Sequence, residues 1–119
     1  MATQSISITI SKLNDGQWGG DTTDAQAALV AENLAALLEE YASRRYPEAE
    51  VESSVTDRPI ARACQAFGFG DEPANEAVEG DLYAFLGDHW YEEPLWAEGF
   101  DAAAYLDELD RKRAAHAAS

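Results

Sequence analysis

The sequence predicts a helix-rich α+β domain from its hydrophobic periodicity. A first segment alternates apolar and polar residues as a strand does, the next has amphipathic-helix spacing, and the alternation then returns before further helical patterns. At 119 residues we expect a single domain over residues 1–119. Within it we expect a strand-helix-strand half at 1–57, an acidic helical half at 58–113 and a frayed tail at 114–119.

Two strands are predicted from strict alternation. In residues 5–11, Ile6, Ile8 and Ile10 face one side and hydroxyl residues face the other. The alternation returns in residues 49–55. Because one helix joins these strands, we expect them to be parallel, with a right-handed crossover. Two strands make a small sheet, so helices must cover the isoleucine face or another chain must extend the edge.

A long first helix separates the strands. Thr23 with Gln26 three positions later matches a capping box, and the apolar stripe that follows has helical spacing. We expect this helix to run to about Arg45, because Pro47 prevents its continuation.

The second half is predicted to be helical throughout. A short helix is expected around residues 60–67, and a longer one begins with Pro73 in its first turn and ends near Trp90. The last helix begins near Asp101, a suitable N-cap. The sheet would thus be covered by two to three helices beyond the first.

Charge is unevenly distributed along the chain. The net charge is −15, and residues 47–110 contain seventeen acids and two bases. Residues 71–110 contain thirteen acids, no Lys or Arg, and seven aromatic residues. Acidic disordered segments are poor in aromatics, so this pattern indicates carboxylates on a folded scaffold. Direct binding to nucleic acid or to an anionic membrane is unfavourable at this charge.

A carboxylate row is predicted on the helix that starts near Pro73. Glu72, Glu76 and Glu79 recur at helical spacing, away from Val78 and Leu82. They rise about 4.5–6 Å from one to the next, a spacing similar to that of nucleic-acid phosphates. Unpaired like charges at this spacing are destabilising, so a basic partner would relieve them.

Further partner-binding residues are predicted after this row. The charge continues at Asp88, Glu92, Glu93 and Glu98. Trp96, between Pro94-Leu95 and Glu98-Gly99, is expected to be an exposed aromatic anchor, whereas Trp90 is expected in the core. The alternative is that the acidic surface serves only solubility, as in halophilic proteins.

The chain contains no recognisable catalytic, cofactor or metal motif. Of its two histidines, His116 lies in the tail, and His89 is expected to be a structural, hydrogen-bonded residue, with Glu93 in reach. A small enzyme centred on His89 is the less favoured alternative. One cysteine and two separated histidines do not supply a zinc site, and Cys64 is expected in the core. We therefore expect no enzyme activity, no cofactor and no metal.

The sequence also predicts the compartment. A single cysteine, no secretory signal and no apolar run of membrane-spanning length point to a cytoplasmic protein.

In size, net charge and charge segregation, residues 47–110 resemble small acidic proteins of phages and plasmids, of the anti-restriction and anti-CRISPR type. The resemblance implies a non-enzymatic DNA mimic that blocks the basic groove of a nucleic-acid-binding protein, and it carries over no individual residue. A different hypothesis is a structural or assembly subunit that forms a homodimer through an exposed strand edge, with the acidic face serving solubility.

Overall fold

The structure, a computed structural model, describes residues 4–14, 18–60 and 62–118, with side chains only as far as residue 115. Its elements in chain order are β1 (Ser5–Ser11), α1 (Asp24–Arg45), β2 (Glu50–Thr56), β3 (Cys64–Phe67), α2 (Glu72–His89), a 3-10 helix (Glu93–Trp96) and α3 (Ala102–Ala118). The predicted helix-rich α+β fold is confirmed. No helix in the described ranges has the length and apolar character needed to cross a membrane.

The sheet has the strand order β2-β1-β3. β1 and β2 are parallel in the register Ser5 to Glu50 through Ser11 to Thr56, as the strand-helix-strand pattern predicts. β3 runs antiparallel to β1, with Cys64 opposite Ile8 and Ala66 opposite Ile6. β3 therefore supplies the third strand that the small sheet needs.

The prediction of a short helix around residues 60–67 is wrong, because residues 64–67 form β3. Cys64 and Ala66 are buried while Phe67 is exposed, which is the period-two pattern of a strand. A run this short does not distinguish helix from strand by its periodicity alone. The expectation that Cys64 is a core residue is nevertheless confirmed, since it is fully buried.

The core lies between one face of the sheet and α1. Ile6, Ile8 and Ile10 are buried against a stripe of α1 that includes Leu34 and Leu38. The opposite face of β1 consists of serine and threonine side chains, and none of the described helices packs on it. The molecule is correspondingly thin, with principal extents of 46 × 42 × 20 Å.

Hydrogen-bonding side chains define where the helices begin. The capping box predicted at α1 is present: Thr23 Oγ1 accepts from Gln26 N–H at 3.1 Å, and Gln26 Oε1 accepts from Thr23 N–H at 3.0 Å. The Asp101 carboxylate accepts from Ala104 N–H at 3.1 Å, as predicted for the start of α3. α3 continues as a helix to Ala118, through most of the segment for which a frayed tail is expected.

Candidate protein-binding surface

Two side chains of α2 cover the outer edge of β3. Thr9 N–H donates to Ala63 O at 2.8 Å, so by the alternation of an antiparallel ladder the N–H groups of Cys64 and Ala66 point away from β1. Cys64 N–H donates to the Tyr83 hydroxyl at 3.2 Å, and Ala66 N–H donates to Glu79 Oε2 at 2.8 Å. The edge donors of β3 are therefore satisfied within the chain.

Glu79 consequently does not belong to an exposed carboxylate row, and its predicted placement is wrong. Its relative exposure is 8%, and its second oxygen accepts from Arg62 Nη2 at 2.5 Å. On an α-helix Glu79 lies only about 60° from Leu82, so it borders the buried face rather than opposing it. β3 brings a backbone donor to the Glu79 carboxylate, and the segment just before β3 brings the Arg62 guanidinium.

Asp81 is a second carboxylate that the fold uses. It accepts hydrogen bonds from the Tyr41 hydroxyl at 2.9 Å, the Tyr46 hydroxyl at 2.8 Å and Arg45 Nε at 3.1 Å. Burial alone raises the pKa of Asp81, but the hydrogen bonds from Tyr46, Tyr41 and Arg45 outweigh it, and the net pKa is lowered. Burial, together with the contact with Asp81, raises the pKa of Tyr46 to about 12. Asp81 thus fastens α2 to the end of α1.

The remaining ion pairs among the described residues lie within α1, within α3 or between these two helices. Arg44 pairs with Glu40 at 3.0 Å and with Asp107 at 2.8 Å, and it approaches Asp110 at 4.0 Å. Within α3, Arg111 pairs with Glu108. Arg44 and Arg111 thus neutralise acids of α1 and α3, in addition to the pairs that Arg62 and Arg45 make with Glu79 and Asp81.

Six of the predicted binding carboxylates have no cationic partner within ion-pair distance in the described part of the chain, and all six are exposed. They are Glu72, Glu76, Asp88, Glu92, Glu93 and Glu98.

These six carboxylates do not form one continuous row. Glu72 and Asp88 are separated by about 24 Å along α2, at 1.5 Å per residue. Glu98 follows the 3-10 helix in the chain and borders a surface pocket that Glu32 of α1 also lines. Asp88, Glu92 and Glu93 are close in the chain and flank the exposed side chains of Trp90 and Tyr91. Residues 88–93 therefore contain three of the six carboxylates, and we call them the acidic aromatic segment.

A chain of aromatic rings anchors this segment. The ring centroids of Trp18 and Trp90 are 5.9 Å apart, those of Trp90 and Tyr91 are 4.9 Å apart, and those of Tyr91 and Trp96 are 5.6 Å apart. The Tyr91 hydroxyl donates to Trp18 O at 3.1 Å. Gly19 has a φ of 105°, and a Cβ there would lie 3.2 Å from the Tyr91 hydroxyl, so this close approach requires glycine. The segment is thus held against the loop after β1.

The exposure of the tryptophans is the reverse of the prediction. Trp90 is 37% exposed and Tyr91 is 53% exposed, whereas Trp96 is half-buried and packs on the core. The reason is a contact distant in sequence: the Asn33 amide of α1 donates to Leu95 O at 2.8 Å and to Ala97 O at 3.1 Å, and Leu95 is fully buried. This contact turns the 3-10 helix, and Trp96 with it, toward the core.

His89 joins α2 to α3. Its Nδ1 lies 3.1 Å from the Tyr105 hydroxyl, and its ring centroid is 4.4 Å from that of Phe85. Burial, together with the nearby Glu92 carboxylate, raises the pKa of Tyr105. The structure therefore places His89 in a hydrogen-bonded helix contact, with Tyr105 rather than Glu93 as its partner.

The described residues contain no group of histidine, cysteine and carboxylate side chains that could hold a metal ion. Burial, with a smaller contribution from the Glu79 carboxylate, raises the pKa of the Cys64 thiol to about 11. A thiol with this pKa is protonated at neutral pH and is a poor nucleophile.

Comparison with known proteins adds no assignment: no protein-family model, no curated protein and no solved structure matches this chain.

Replacing Glu79 tests whether its carboxylate supports the sheet edge. Glu79→Ala leaves the buried Ala66 N–H without its acceptor and removes the Arg62 pair, so we expect the free energy of unfolding to fall by about 1–3 kcal/mol. The measurement is urea denaturation. Glu76→Ala, at an exposed position on the same helix with no ion pair among the described residues, is the control and should change the value by less than about 0.5 kcal/mol. Equal effects of the two substitutions would contradict the assigned role of Glu79.

Acidification tests the Asp81 contact. The folded pKa of Asp81 lies below its unfolded value, which is about 3.9, so its contribution to stability is present above that pH and is lost as the pH falls through the folded pKa. We expect Asp81→Asn to lower the unfolding free energy at pH 7 by about 1–3 kcal/mol. The difference in unfolding free energy between Asp81→Asn and the parent protein should shrink as the pH falls below about 4. A difference that stayed constant over this range would show that the carboxylate charge contributes nothing.

Proposed function

We propose that this protein is a non-enzymatic inhibitor that presents phosphate-like carboxylates to the basic groove of a nucleic-acid-binding protein or complex, and so competes with DNA or RNA. We further propose that it acts in the cytoplasm on a host defence system, as do the anti-restriction and anti-CRISPR proteins that it resembles in size and charge. Its partner is a protein, since a net charge of −15 opposes direct binding to nucleic acid.

The observation that carries the proposal is the division of the carboxylates into two sets. Acids at the contacts between elements have cationic or hydrogen-bonding partners, as Glu79 and Asp81 do. Asp88, Glu92 and Glu93 have no cationic partner among the described residues, and they share one segment with the exposed rings of Trp90 and Tyr91. A purely solvated acidic coat requires neither this separation nor exposed aromatic side chains beside the charges.

The two kinds of side chain would contribute differently to binding. Carboxylates that face a basic groove accelerate association and favour a cationic partner over others, and their contribution falls with added salt. Trp and Tyr side chains supply apolar area that salt does not screen, and they dominate many protein interfaces. We therefore centre the binding surface on the acidic aromatic segment, with Glu98, Glu72 and Glu76 as flanking charges and Glu79 as a supporting residue.

A pair of charge-matched variants tests this proposal. In Asp88→Asn/Glu92→Gln/Glu93→Gln, the segment loses three charges; in Glu48→Gln/Glu50→Gln/Glu52→Gln, three exposed acids elsewhere are lost. Each immobilised protein is exposed to bacterial lysate at about 50 mM and about 500 mM salt. We expect the parent and the second variant to retain a basic nucleic-acid-binding protein at the lower salt only. The first variant should bind it about tenfold more weakly, at ~0.5 kcal/mol for each lost pair.

The captured protein is then tested for nucleic-acid competition. The parent protein should displace a labelled duplex or single strand from it, and the Asp88→Asn/Glu92→Gln/Glu93→Gln variant should not. If both triple variants bind alike, or if the captured protein keeps its nucleic acid, the carboxylates act only as a solvated surface and the proposal fails.

The open edge of β2 favours a second function, self-assembly. Glu50 N–H donates to Gln4 O and Lys12 N–H donates to Thr56 O, so the backbone groups of Val51, Ser53 and Val55 point away from β1. No strand lies beyond β2 in the described chain. The outer edge of β3 is covered by Glu79 and Tyr83, which leaves β2 as the edge able to pair.

One register suits pairing with a second copy. Antiparallel pairing centred on Ser53 would use the full length of β2, with Val51 opposite Val55 of the other copy. It would place Glu50 opposite Thr56 and Glu52 opposite Ser54, so no two carboxylates would face each other directly. Such an isologous edge would produce a six-stranded sheet across a twofold axis.

Ser53→Pro distinguishes this second function. The Ser53 N–H points away from β1, so proline at this position removes no hydrogen bond to β1. It does prevent hydrogen bonding between β2 and a second copy at this edge. If β2 mediates assembly, light scattering after gel filtration should give a dimer for the parent protein and a monomer for Ser53→Pro. Circular dichroism checks that the fold is kept. A parent protein that is already a monomer at about 100 µM would rule out assembly through this edge.

A further inference from the structure

A cavity of about 300 Å³ lies between the end of β1, α1 and the second half of α2. Its lining includes apolar side chains, such as Ile10, Leu34 and Leu86, and three aromatic rings, those of Trp18, Tyr83 and Trp90. A volume of this size is at the lower end of the range for small-molecule sites, which are mostly apolar with a few polar groups.

Exposed apolar side chains are concentrated at this cavity. Five large hydrophobic residues are exposed in the described chain, and three of them, Ile60, Tyr83 and Trp90, line the cavity. Scattered apolar residues on a protein surface need no explanation, but several around one concave site mark a place where another molecule binds.

Trp18, one of the lining residues, also has a buried hydrogen-bond donor without an acceptor in the described chain. Trp18 is 3% exposed, and its indole N–H has no acceptor among the described residues. A buried donor without an acceptor is unfavourable, and buried tryptophan N–H groups normally have a partner. A small rotation of the indole ring toward the cavity would let a bound molecule with an oxygen or nitrogen acceptor supply that partner.

The lining and the protein charge restrict the ligand further. Among the described residues, no Asp, Glu, Lys or Arg side chain lines the cavity, so a cation or an anion would find no counter-charge among them. The net charge of −15 additionally repels anions. Aromatic walls favour a flat ring, which stacks or makes edge contacts with indole and phenol groups.

We propose that this cavity binds a small, neutral, ring-containing molecule that carries a hydrogen-bond acceptor such as a ketone oxygen. The ring contacts Trp90 and Tyr83, and the acceptor faces the indole N–H of Trp18. This site is independent of the carboxylates of the acidic aromatic segment, and it would remain if the inhibitor function failed.

A neutral fluorescent ketone provides the probe. The compound 6-propionyl-2-(dimethylamino)naphthalene has one carbonyl oxygen, and its emission shifts to the blue in an apolar site.

The variant that should block the cavity is Gly87→Leu. Gly87 lies in α2 and lines the cavity, and a Cβ added there would have no other atom within 4 Å, so the backbone accepts a side chain. Gly80→Leu is the matched control, since Gly80 is also in α2 with open space around it but does not line the cavity. Both substitutions replace a helical glycine by a good helix former, so both variants should fold.

We expect the parent protein and Gly80→Leu to bind one probe molecule with a blue shift, and Gly87→Leu to bind it about tenfold more weakly or not at all, because the added side chain overfills the site. In an NMR titration the Trp18 indole N–H signal should move on binding. Absence of binding to the parent protein, or equal binding to the two variants, would overturn the proposed site. Binding that leaves the Trp18 signal in place would overturn the assigned acceptor contact.

Discussion

The hydrogen bond from Ala66 N–H to the buried Glu79 carboxylate is the contact on which the arrangement of the acidic half depends. It closes the outer edge of β3 and, with the Tyr83 hydroxyl on the next turn, fixes how α2 is rotated beside the sheet. Once this rotation is set, Trp90 lies at the cavity beside Trp18, and Gly80 and Gly87 face open space. The position of the acidic aromatic segment follows, because the segment begins in the last turns of the same helix.

Three arginines lie where acids are partly or fully buried or where helices meet. Arg62 neutralises Glu79, Arg45 neutralises Asp81, and Arg44 serves the α1–α3 contact. A buried carboxylate needs such partners, whereas an exposed one tolerates their absence at the cost of repulsion from its neighbours. This placement leaves residues 88–93 with three uncompensated charges and two exposed rings, a combination that suits a basic protein surface.

Local periodicity was sufficient for much of the fold, because β1 has strict alternation and α1 has both a capping box and a continuous apolar stripe. It failed at β3, because four residues are too few to distinguish the two-residue period of a strand from the 3.6-residue period of a helix. It also failed for Glu79 and Trp96. Their burial depends on contacts distant in sequence, with β3 for Glu79 and with Asn33 for the 3-10 helix. Hence the acidic character of the site could be predicted, whereas the division between supporting and available carboxylates required the structure.

The most direct test of uncompensated charge is the salt dependence of stability in the free protein. Urea denaturation at pH 7 would be measured between about 10 mM and 500 mM NaCl, a range over which screening of exposed charges becomes nearly complete. If the carboxylates of residues 88–93 repel one another, the unfolding free energy of the parent protein rises with salt, and it rises less in Asp88→Asn/Glu92→Gln/Glu93→Gln. A stability that falls with salt, or that changes equally in both proteins, would show that this segment is not a site of unrelieved charge.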